Sequence, residues 1–272
     1  MNAQFDLHGQ VAVITGAAGL LGIRHCEALA SAGAHVVAVD LNGQACQDLV
    51  AALSANHGGE HLAIEANLTD PDAVKRMRTQ VLDRFRRVDV LVNNAAINDK
   101  VETPHVSSQV MRFEDYPVST FRDVLDVSVT SAFLCCQQLA PAMAEQRSGS
   151  IINIASTYAL VGPDQRLYQR ADGTQAFFKS AAYPTAKAAM LGLTRFLAAY
   201  YGPHQVRANS LTPGGVENGQ DETFVRRYSE RTPLGRMGTP HDYQGALLFL
   251  ASNASCYMTG ANLVVDGGYT AW

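Results

Sequence analysis

A tyrosine and a lysine stand four residues apart in an alanine-rich stretch. Tyr183 and Lys187 would project from one face of a helix, because residues four apart are neighbours on a helix surface. A phenol with its ordinary pKa of about 10 is a poor acid or base at neutral pH, and a neighbouring ammonium lowers that pKa. The hydroxyl of Ser156, which follows an apolar run, can hydrogen-bond the same substrate oxygen. These residues suit proton transfer at an alcohol or carbonyl oxygen while a nicotinamide exchanges hydride, although the spacing also fits a surface pair on an amphipathic helix.

A glycine-rich segment, Thr15–Gly22, lies between a predicted strand and a predicted helix. Its sequence, Thr-Gly-Ala-Ala-Gly-Leu-Leu-Gly, lets the backbone approach a pyrophosphate, which the unpaired amides of the helix N-terminus would bind. Asp40 ends the next strand, where its carboxylate can accept hydrogen bonds from the adenosine ribose and would repel the extra phosphate of NADP. Ala17, Ala18 and Leu41 offer no compensating positive charge. The pattern therefore predicts NAD binding; the simpler alternative is a tight turn without a ligand.

The elements that must position these residues alternate between short apolar runs and amphipathic stretches. Such alternation is typical of βαβ units and predicts an α/β fold with a Rossmann-type, doubly wound parallel sheet of about seven strands in a single domain, residues 1–272. The predicted strands are Val11–Thr15, His35–Val39, His61–Glu65, Val88–Asn93, Ser150–Ala155, Val206–Leu211 and Ala261–Val265. The predicted helices are Leu20–Ala32, Gln44–Asn56, Pro71–Arg87, Val118–Gln146, Ala182–Tyr201 and Pro240–Ala251.

Three irregular segments interrupt the alternation. Residues 97–117 and 160–181 are polar loops that follow strands, where an open α/β sheet has its ligand crevice. Residues 213–239 mix glycine and proline around a predicted short helix near Asp221–Arg231, and we expect this segment to form a substrate lid.

Composition excludes several classes of protein. The 272 residues carry 21 Lys+Arg against 25 Asp+Glu, a formal net charge of −4, without the basic excess of a nucleic-acid binder. We find no apolar run of membrane-spanning length and no secretory pattern at the N-terminus. The five scattered cysteines and eight unclustered histidines predict neither disulfides nor a metal site, so we expect a cytoplasmic protein.

The order of these motifs resembles that of the short-chain dehydrogenase/reductase family, and the resemblance extends from about Gly9 to Tyr269. The matching motifs are Thr15–Gly22, Asn93-Asn94-Ala95-Ala96, Ser156, Tyr183–Lys187, Pro213-Gly214 and Asp266-Gly267-Gly268. The resemblance implies that Tyr183 is the acid/base, that Lys187 lowers its pKa and holds the nicotinamide ribose, and that Ser156 orients the reacting oxygen. It also implies a homo-oligomer, a dimer or tetramer, with the Asp266-Gly267-Gly268 turn near the interface. The cofactor-binding residues that it implies are Gly16, Ala18, Gly19, Leu20, Leu21, Asp40, Leu41, Asn67, Leu68, Asn93, Ala95, Ala96, Tyr183, Lys187, Pro213, Gly214 and Val216.

Four positions depart from the family pattern. The middle glycine of the turn is shifted to Gly19, as in the branch that acts on nucleotide sugars, although the short chain fits the single-domain branch. Asn67 replaces an aspartate expected beside adenine, and Ser128 replaces the asparagine expected to support a proton-relay water. Ser156 and Tyr183 are separated by about twice the usual spacing, so residues 160–181 resemble an insertion.

The motifs are also similar to those of a subgroup associated with bacterial surface-sugar and flagellin modification. We therefore expect a polar substrate, a sugar or sugar derivative, with Arg166 as a phosphate anchor. The expected substrate wall consists of Asn98, Asp99, Lys100, Asp164, Gln165, Arg166, Glu217, Asn218 and Gln220, with Arg226, Arg227 and Arg231 nearby. An apolar substrate would instead face Tyr168, Phe177 and Phe178.

The predicted function is NAD(H)-dependent interconversion of a secondary alcohol and a carbonyl compound, with Ser156, Tyr183, Lys187 and Ser128 as the catalytic group. We expect the substrate to contact Ser156, Tyr183 and Arg166, and we expect no nucleic-acid or membrane partner. The alternatives are a nucleotide-sugar epimerase or dehydratase, and a dinucleotide-binding protein without turnover.

Overall fold

Seven parallel strands form one sheet in the computed structural model, which describes residues 3–98 and 112–272. The order β3-β2-β1-β4-β5-β6-β7 reverses between β1 and β4, and this reversal opens a crevice at the carboxyl ends of those strands. The doubly wound α/β fold predicted from the alternating pattern is confirmed. The strands are β1 (Val11–Thr15), β2 (His35–Asp40), β3 (Leu62–Glu65), β4 (Val90–Asn93), β5 (Gly149–Ile154), β6 (Val206–Pro213) and β7 (Asn262–Val265).

The central strands are apolar on both faces because helices cover both sides of the sheet. In β1, Val11 and Val13 enter one core layer, and Ala12 and Ile14 enter the other. The helices are α1 (Leu20–Ser31), α2 (Gly43–His57), α3 (Pro71–Phe85), α4 (Val118–Leu125), α5 (Ser131–Gln146), α6 (Ala182–Tyr201), α7 (Glu222–Glu230) and α8 (Gln244–Ala251).

The helix predicted over Val118–Gln146 contains a π-helical segment at Asp126–Thr130, between α4 and α5. By length and composition alone this 29-residue stretch could cross a membrane, whereas the sequence predicted no such span. Half of its most apolar window is buried inside the protein, and α5 inserts Leu139 and Met143 into the core beneath the sheet. The stretch therefore has the position of a core helix.

The 160–181 loop packs against α7. It contains a 3₁₀ turn at Gln165–Tyr168 and a short antiparallel bridge between Gln169 and Gln175. Tyr168 of the loop and Phe224 of α7 belong to one apolar cluster, with their ring centroids 5.3 Å apart. The loop and the predicted lid helix thus form one continuous wall beside the crevice.

Candidate active site

A cleft of about 410 Å³ opens at the carboxyl ends of β1, β4, β5 and β6. Most of the predicted site residues line it, although they are spread over nearly the whole sequence. Those residues are Gly16, Gly19, Leu20, Leu21, Asp40, Ala95, Ala96, Ser156, Tyr183, Lys187, Pro213, Gly214 and Val216.

The glycine turn is compact because two of its glycines have no room for a side chain. Gly16 has φ +62°, and a Cβ there would lie 2.8 Å from the Ala95 Cα. A Cβ on Gly22 would lie only 2.1 Å from the Gly16 carbonyl oxygen. Gly19, the N-cap of α1, has no side chain with which to cap the first amides of the helix. These amides remain available to the cleft, so the turn fits the pyrophosphate of a dinucleotide.

Thr15 and Asn94 hold this turn, a role that the sequence did not predict for either residue. The Thr15 hydroxyl oxygen accepts hydrogen bonds from the Asn94 and Ala95 amides at 3.0 and 3.1 Å. The Asn94 side-chain amide donates to the carbonyl oxygens of Thr15 and Gly16 at 3.0 and 2.9 Å. The Asn93-Asn94 doublet is the sequence feature that could have indicated this role, but the doublet alone does not determine which asparagine faces the turn.

Asn93 is the asparagine that faces away from the turn. The family resemblance implied that Asn93 lines the cofactor site, but it is not among the residues that line the cleft. Its side chain is buried and donates to Asn153 Oδ1 at 2.8 Å, because the two residues pair in register on β4 and β5. Asn153 donates to the Thr194 hydroxyl, which in turn bonds the Ser210 hydroxyl at 2.7 Å. This polar chain ties β4, β5 and β6 to α6.

The Asp40 carboxylate is fixed at the far end of the cleft. Its two oxygens accept hydrogen bonds from the Ala18 and Asn42 amides, each at 3.1 Å. Leu41 does not line the cleft, and its side chain is exposed. The other predicted cofactor residues near this end, Ala18, Asn67 and Leu68, do not line the cleft either: Asn67 bonds Thr69, and Leu68 is buried in the core.

Ser156, Tyr183 and Lys187 meet in the middle of the cleft. A hydrogen bond joins the side chains of Ser156 and Tyr183, and Lys187 Nζ lies 5.9 Å from the centroid of the Tyr183 ring. Lys187 Nζ also donates to the Ile154 carbonyl oxygen at 2.8 Å. Because Tyr183 and Lys187 share one face of α6, as their spacing predicted, both reach the end of β5, which Ser156 follows.

Burial shifts the pKa values of both titratable groups. It raises the pKa of the Tyr183 phenol, an effect that the hydrogen bond with Ser156 opposes. It lowers the pKa of the Lys187 ammonium to about 8. Desolvation of Tyr183 therefore outweighs the lowering of its pKa by Ser156.

Ser128 lies in the π-helical segment and does not line the cleft. It is buried, and its hydroxyl has no hydrogen-bond partner among the described residues. Insertion of an extra residue into a helical turn is frequent at functional sites. The helix containing Ser128 packs on α6. The proton-relay water expected at Ser128 stays a prediction.

The substrate end of the cleft combines amide, hydroxyl and aromatic groups. Asn98, Asn218 and Gln220, which the sequence predicted, line it. Tyr158 and Tyr168 also line it, and their hydroxyls bond each other at 2.9 Å.

Arg166 is not among the residues that line the cleft, and its expected role as a substrate anchor stays a prediction. Its exposed guanidinium binds the Asp164 carboxylate, the nearest acceptor on its own turn. Arg231 binds the same carboxylate, and Arg227 donates to carbonyl oxygens of the 160–181 loop. Arg226 is exposed near Glu230. Arg231 and Arg227 thus fasten the loop to α7, and the predicted wall residues Asp99 and Lys100 lie outside the described residues.

The chain is similar to known proteins over nearly its whole length. A family model described as enoyl-(acyl carrier protein) reductase matches residues 16–270. The chain is 31% identical to D-threitol dehydrogenase of Mycolicibacterium smegmatis, over 98% of this chain and 95% of that protein. It is 35% identical to trans-4-hydroxycyclohexanecarboxylate dehydrogenase of Sinomonas cyclohexanicum, over 96% of this chain and 93% of that protein.

Among solved structures, a short-chain type dehydrogenase/reductase from Mycobacterium marinum superposes with a TM-score of 0.83 at 36% identity. That match covers 98% of this chain and 97% of the other. The similarity therefore includes the whole sheet and both sides of the cleft.

Proposed function

The chain belongs to the short-chain dehydrogenase/reductase family, and from this premise we propose that it interconverts a polar secondary alcohol and its carbonyl compound with NAD(H). It is an oxidoreductase of alcohols and carbonyl compounds with a nicotinamide dinucleotide as cofactor and a small molecule as substrate. The observation that carries the proposal is the meeting of Ser156, Tyr183 and Lys187 in the cleft that the glycine turn closes.

We assign the proton transfer to Tyr183. In alcohol oxidation its phenolate oxygen takes the proton of the substrate hydroxyl, and in carbonyl reduction its hydroxyl returns that proton. The Ser156 hydroxyl, bonded to Tyr183, orients the same substrate oxygen. Lys187 would hold the nicotinamide ribose, and it places a positive charge near Tyr183. When bound, the dinucleotide supplies or accepts the hydride.

Asp40 supports NAD over NADP. Its carboxylate is held by the Ala18 and Asn42 amides, which orient it toward the ribose hydroxyls expected at this end of the cleft. A 2′-phosphate placed there would meet a fixed negative charge. The described residues that line the cleft include two lysines, Lys179 and Lys187, and both lie near Tyr183 and not beside Asp40.

A polyol or sugar derivative fits the substrate end better than an acyl chain or a steroid. Asn98, Asn218 and Gln220 offer donors and acceptors, and the Tyr158 and Tyr168 hydroxyls add two more polar groups. The names of the relatives from M. smegmatis and S. cyclohexanicum specify a polyol and a ring alcohol. Of the residues expected for an apolar substrate, Phe177 and Phe178 do not line the cleft.

We also propose a cytoplasmic homo-oligomer, a dimer or tetramer. Phe133 on α5 and the stacked pair Phe196 and Tyr200 on α6 expose large apolar side chains on neighbouring helices. All five cysteines are free thiols and four are buried, which is typical of a reducing compartment. Light scattering of the purified protein measures the oligomeric state.

Turnover with a panel of polyols, sugar derivatives, ring alcohols, steroids and medium-chain alcohols tests the proposed function. We expect NAD reduction with the polar members, loss of turnover in Tyr183→Phe, and retention of NAD binding by that variant in calorimetry. Turnover of the apolar members alone would overturn the substrate class, and substantial kcat in Tyr183→Phe would overturn the assignment of proton transfer. Epimerisation without net NADH formation, or binding without turnover, would support the two alternative functions.

A further inference from the structure

A second lysine lies closer to the centre of the Tyr183 ring than Lys187 does. Lys179 Nζ is 4.4 Å from the centroid of the Tyr183 ring, compared with 5.9 Å for Lys187 Nζ. Lys179 is only 7% exposed and lines the cleft, although it belongs to the 160–181 loop. The loop that lengthens the spacing between Ser156 and Tyr183 therefore delivers a cation to the face of the proposed acid/base.

The surrounding loop fixes the position of this lysine. Gln165 clamps the Lys179 backbone: its side-chain oxygen accepts from the Lys179 amide at 2.9 Å, and its side-chain nitrogen donates to the Lys179 carbonyl oxygen at 3.0 Å. Gln175 in turn donates to the carbonyl oxygens of Gln165 and Phe177 at 2.9 and 2.7 Å. The Lys179 ammonium itself donates to the Asn98 side-chain oxygen. A long side chain held at both ends is directed at the ring.

We propose that Lys179 is a positioning residue that acts through Tyr183: its ammonium stabilises the ionised phenol and holds the ring over the substrate oxygen. The proposal rests on the proposed function, because it requires Tyr183 to exchange the proton. A cation over an aromatic face attracts the neutral ring and attracts the phenolate more strongly. It therefore opposes the burial that raises the pKa of Tyr183.

The other groups around Tyr183 act differently. Ser156 is neutral, and the Tyr158 ring meets the Tyr183 ring edge-on at 6.5 Å. Lys187 lies farther away and donates to the Ile154 carbonyl oxygen. The charged residues of the helix packed on α6 and of the pocket beside Lys179 are mostly at the surface: Arg112, Glu114, Arg122, Asp123 and Asp126 are exposed.

The size of the effect follows from the distance. A unit charge 4.4 Å from the ring centre, at an effective dielectric constant between about 20 (protein surface) and about 80 (water), shifts a phenol pKa by about 1 to 3 pH units. Neutralising Lys179 is therefore expected to move the alkaline rise of kcat for alcohol oxidation upward by about 1 to 3 pH units.

The experiment compares Lys179→Met with Lys179→Arg, which keeps the charge, and with Lys75→Met, the same substitution at an exposed lysine on α3. The pH profile of kcat is measured with saturating alcohol and NAD. The ultraviolet phenolate titration of each protein is also recorded and corrected by subtracting that of the matching Tyr183→Phe variant. This titration reports the pKa of Tyr183 without turnover. We expect the upward shift only in Lys179→Met, with the Arg variant restored toward wild type.

Coincident profiles and titrations of Lys179→Met and wild type would overturn the proposal. If circular dichroism shows that Lys179→Met does not fold, Gln165→Ala is used instead, because it releases the backbone clamp on Lys179. We expect a smaller upward shift in Gln165→Ala, and the absence of any shift in that variant would also overturn the proposal. Full turnover in Tyr183→Phe would instead overturn the proposed function. The two failures are thus distinguishable.

Discussion

Gly22 is the residue at which the compactness of the glycine turn can be tested most directly. A Cβ at Gly22 would lie 2.1 Å from the Gly16 carbonyl oxygen and 2.8 Å from Ala17 backbone atoms, so Gly22→Ala must push the turn away from α1. Forced overpacking of this kind costs about 1 to 3 kcal/mol. For a chain of this length that cost lowers the melting temperature by about 2 to 5 °C. Because the displaced turn contains the proposed pyrophosphate site, NAD binding should weaken as well.

Gly192→Ala on α6 is the matched control for Gly22→Ala. Its Cβ would meet nothing within 4 Å, and the position is exposed on a helix. Alanine there should raise the free energy of unfolding by about 0.5 to 1 kcal/mol, because glycine destabilises a helix interior. Scanning calorimetry measures both variants, and titration calorimetry measures their affinity for NAD. A Gly22→Ala protein with wild-type stability and NAD affinity would refute the argument that close backbone approach shapes this site.

Three further predictions follow from the cleft. Asp40→Ala should narrow the preference for NAD(H) over NADP(H), because it removes the fixed negative charge; calorimetry with both cofactors measures this, and wild-type preference for NADP(H) would contradict it. Lys187→Met should abolish turnover yet stabilise the fold at pH 7 by about 1 to 2 kcal/mol, after allowing for the lost bond to Ile154, because burying this ammonium is unfavourable. The pKa of Lys187 is about 8 in the folded protein and 10.5 in the unfolded chain, so the penalty for burying the ammonium is full below pH 8. The penalty falls as the pH rises toward 10.5, and urea unfolding across this range should show the stability difference between wild type and Lys187→Met closing. Ser128→Asn should keep or raise kcat if Ser128 supports a proton-relay water, whereas loss of NAD binding would indicate a packing role.

Local pattern predicted the strands well because each is a short apolar run whose two faces are both covered. The errors lie at the strand ends. β4 begins at Val90 and not Val88, although the backbone of Asp89, just before it, already bonds Val11 and Ser150, and its carboxylate binds the Val11 amide and Arg87. The predicted lid helix is α7, and Asp221 caps its start by accepting from the Thr223 amide.

Side-chain direction in the loops could not be predicted from sequence. The charge of Arg166 suggested an anchor, but Asp164, two residues earlier, binds that charge at the surface. Lys179 had no motif around it, and only the folded loop brings it to Tyr183. Tyr183 and Lys187 were predictable because helical periodicity alone sets their relation.

The buried chain of hydrogen bonds from Asn93 through Asn153 and Thr194 to Ser210 has a consequence for local opening. These side chains are almost fully buried, and separating α6 from the sheet would strand several of their polar atoms without water. The amides of α6 should therefore exchange their hydrogens with solvent only on global unfolding, while the exposed loops exchange through small fluctuations. The spacing of Tyr183 and Lys187 would then persist through every partial opening of the substrate wall.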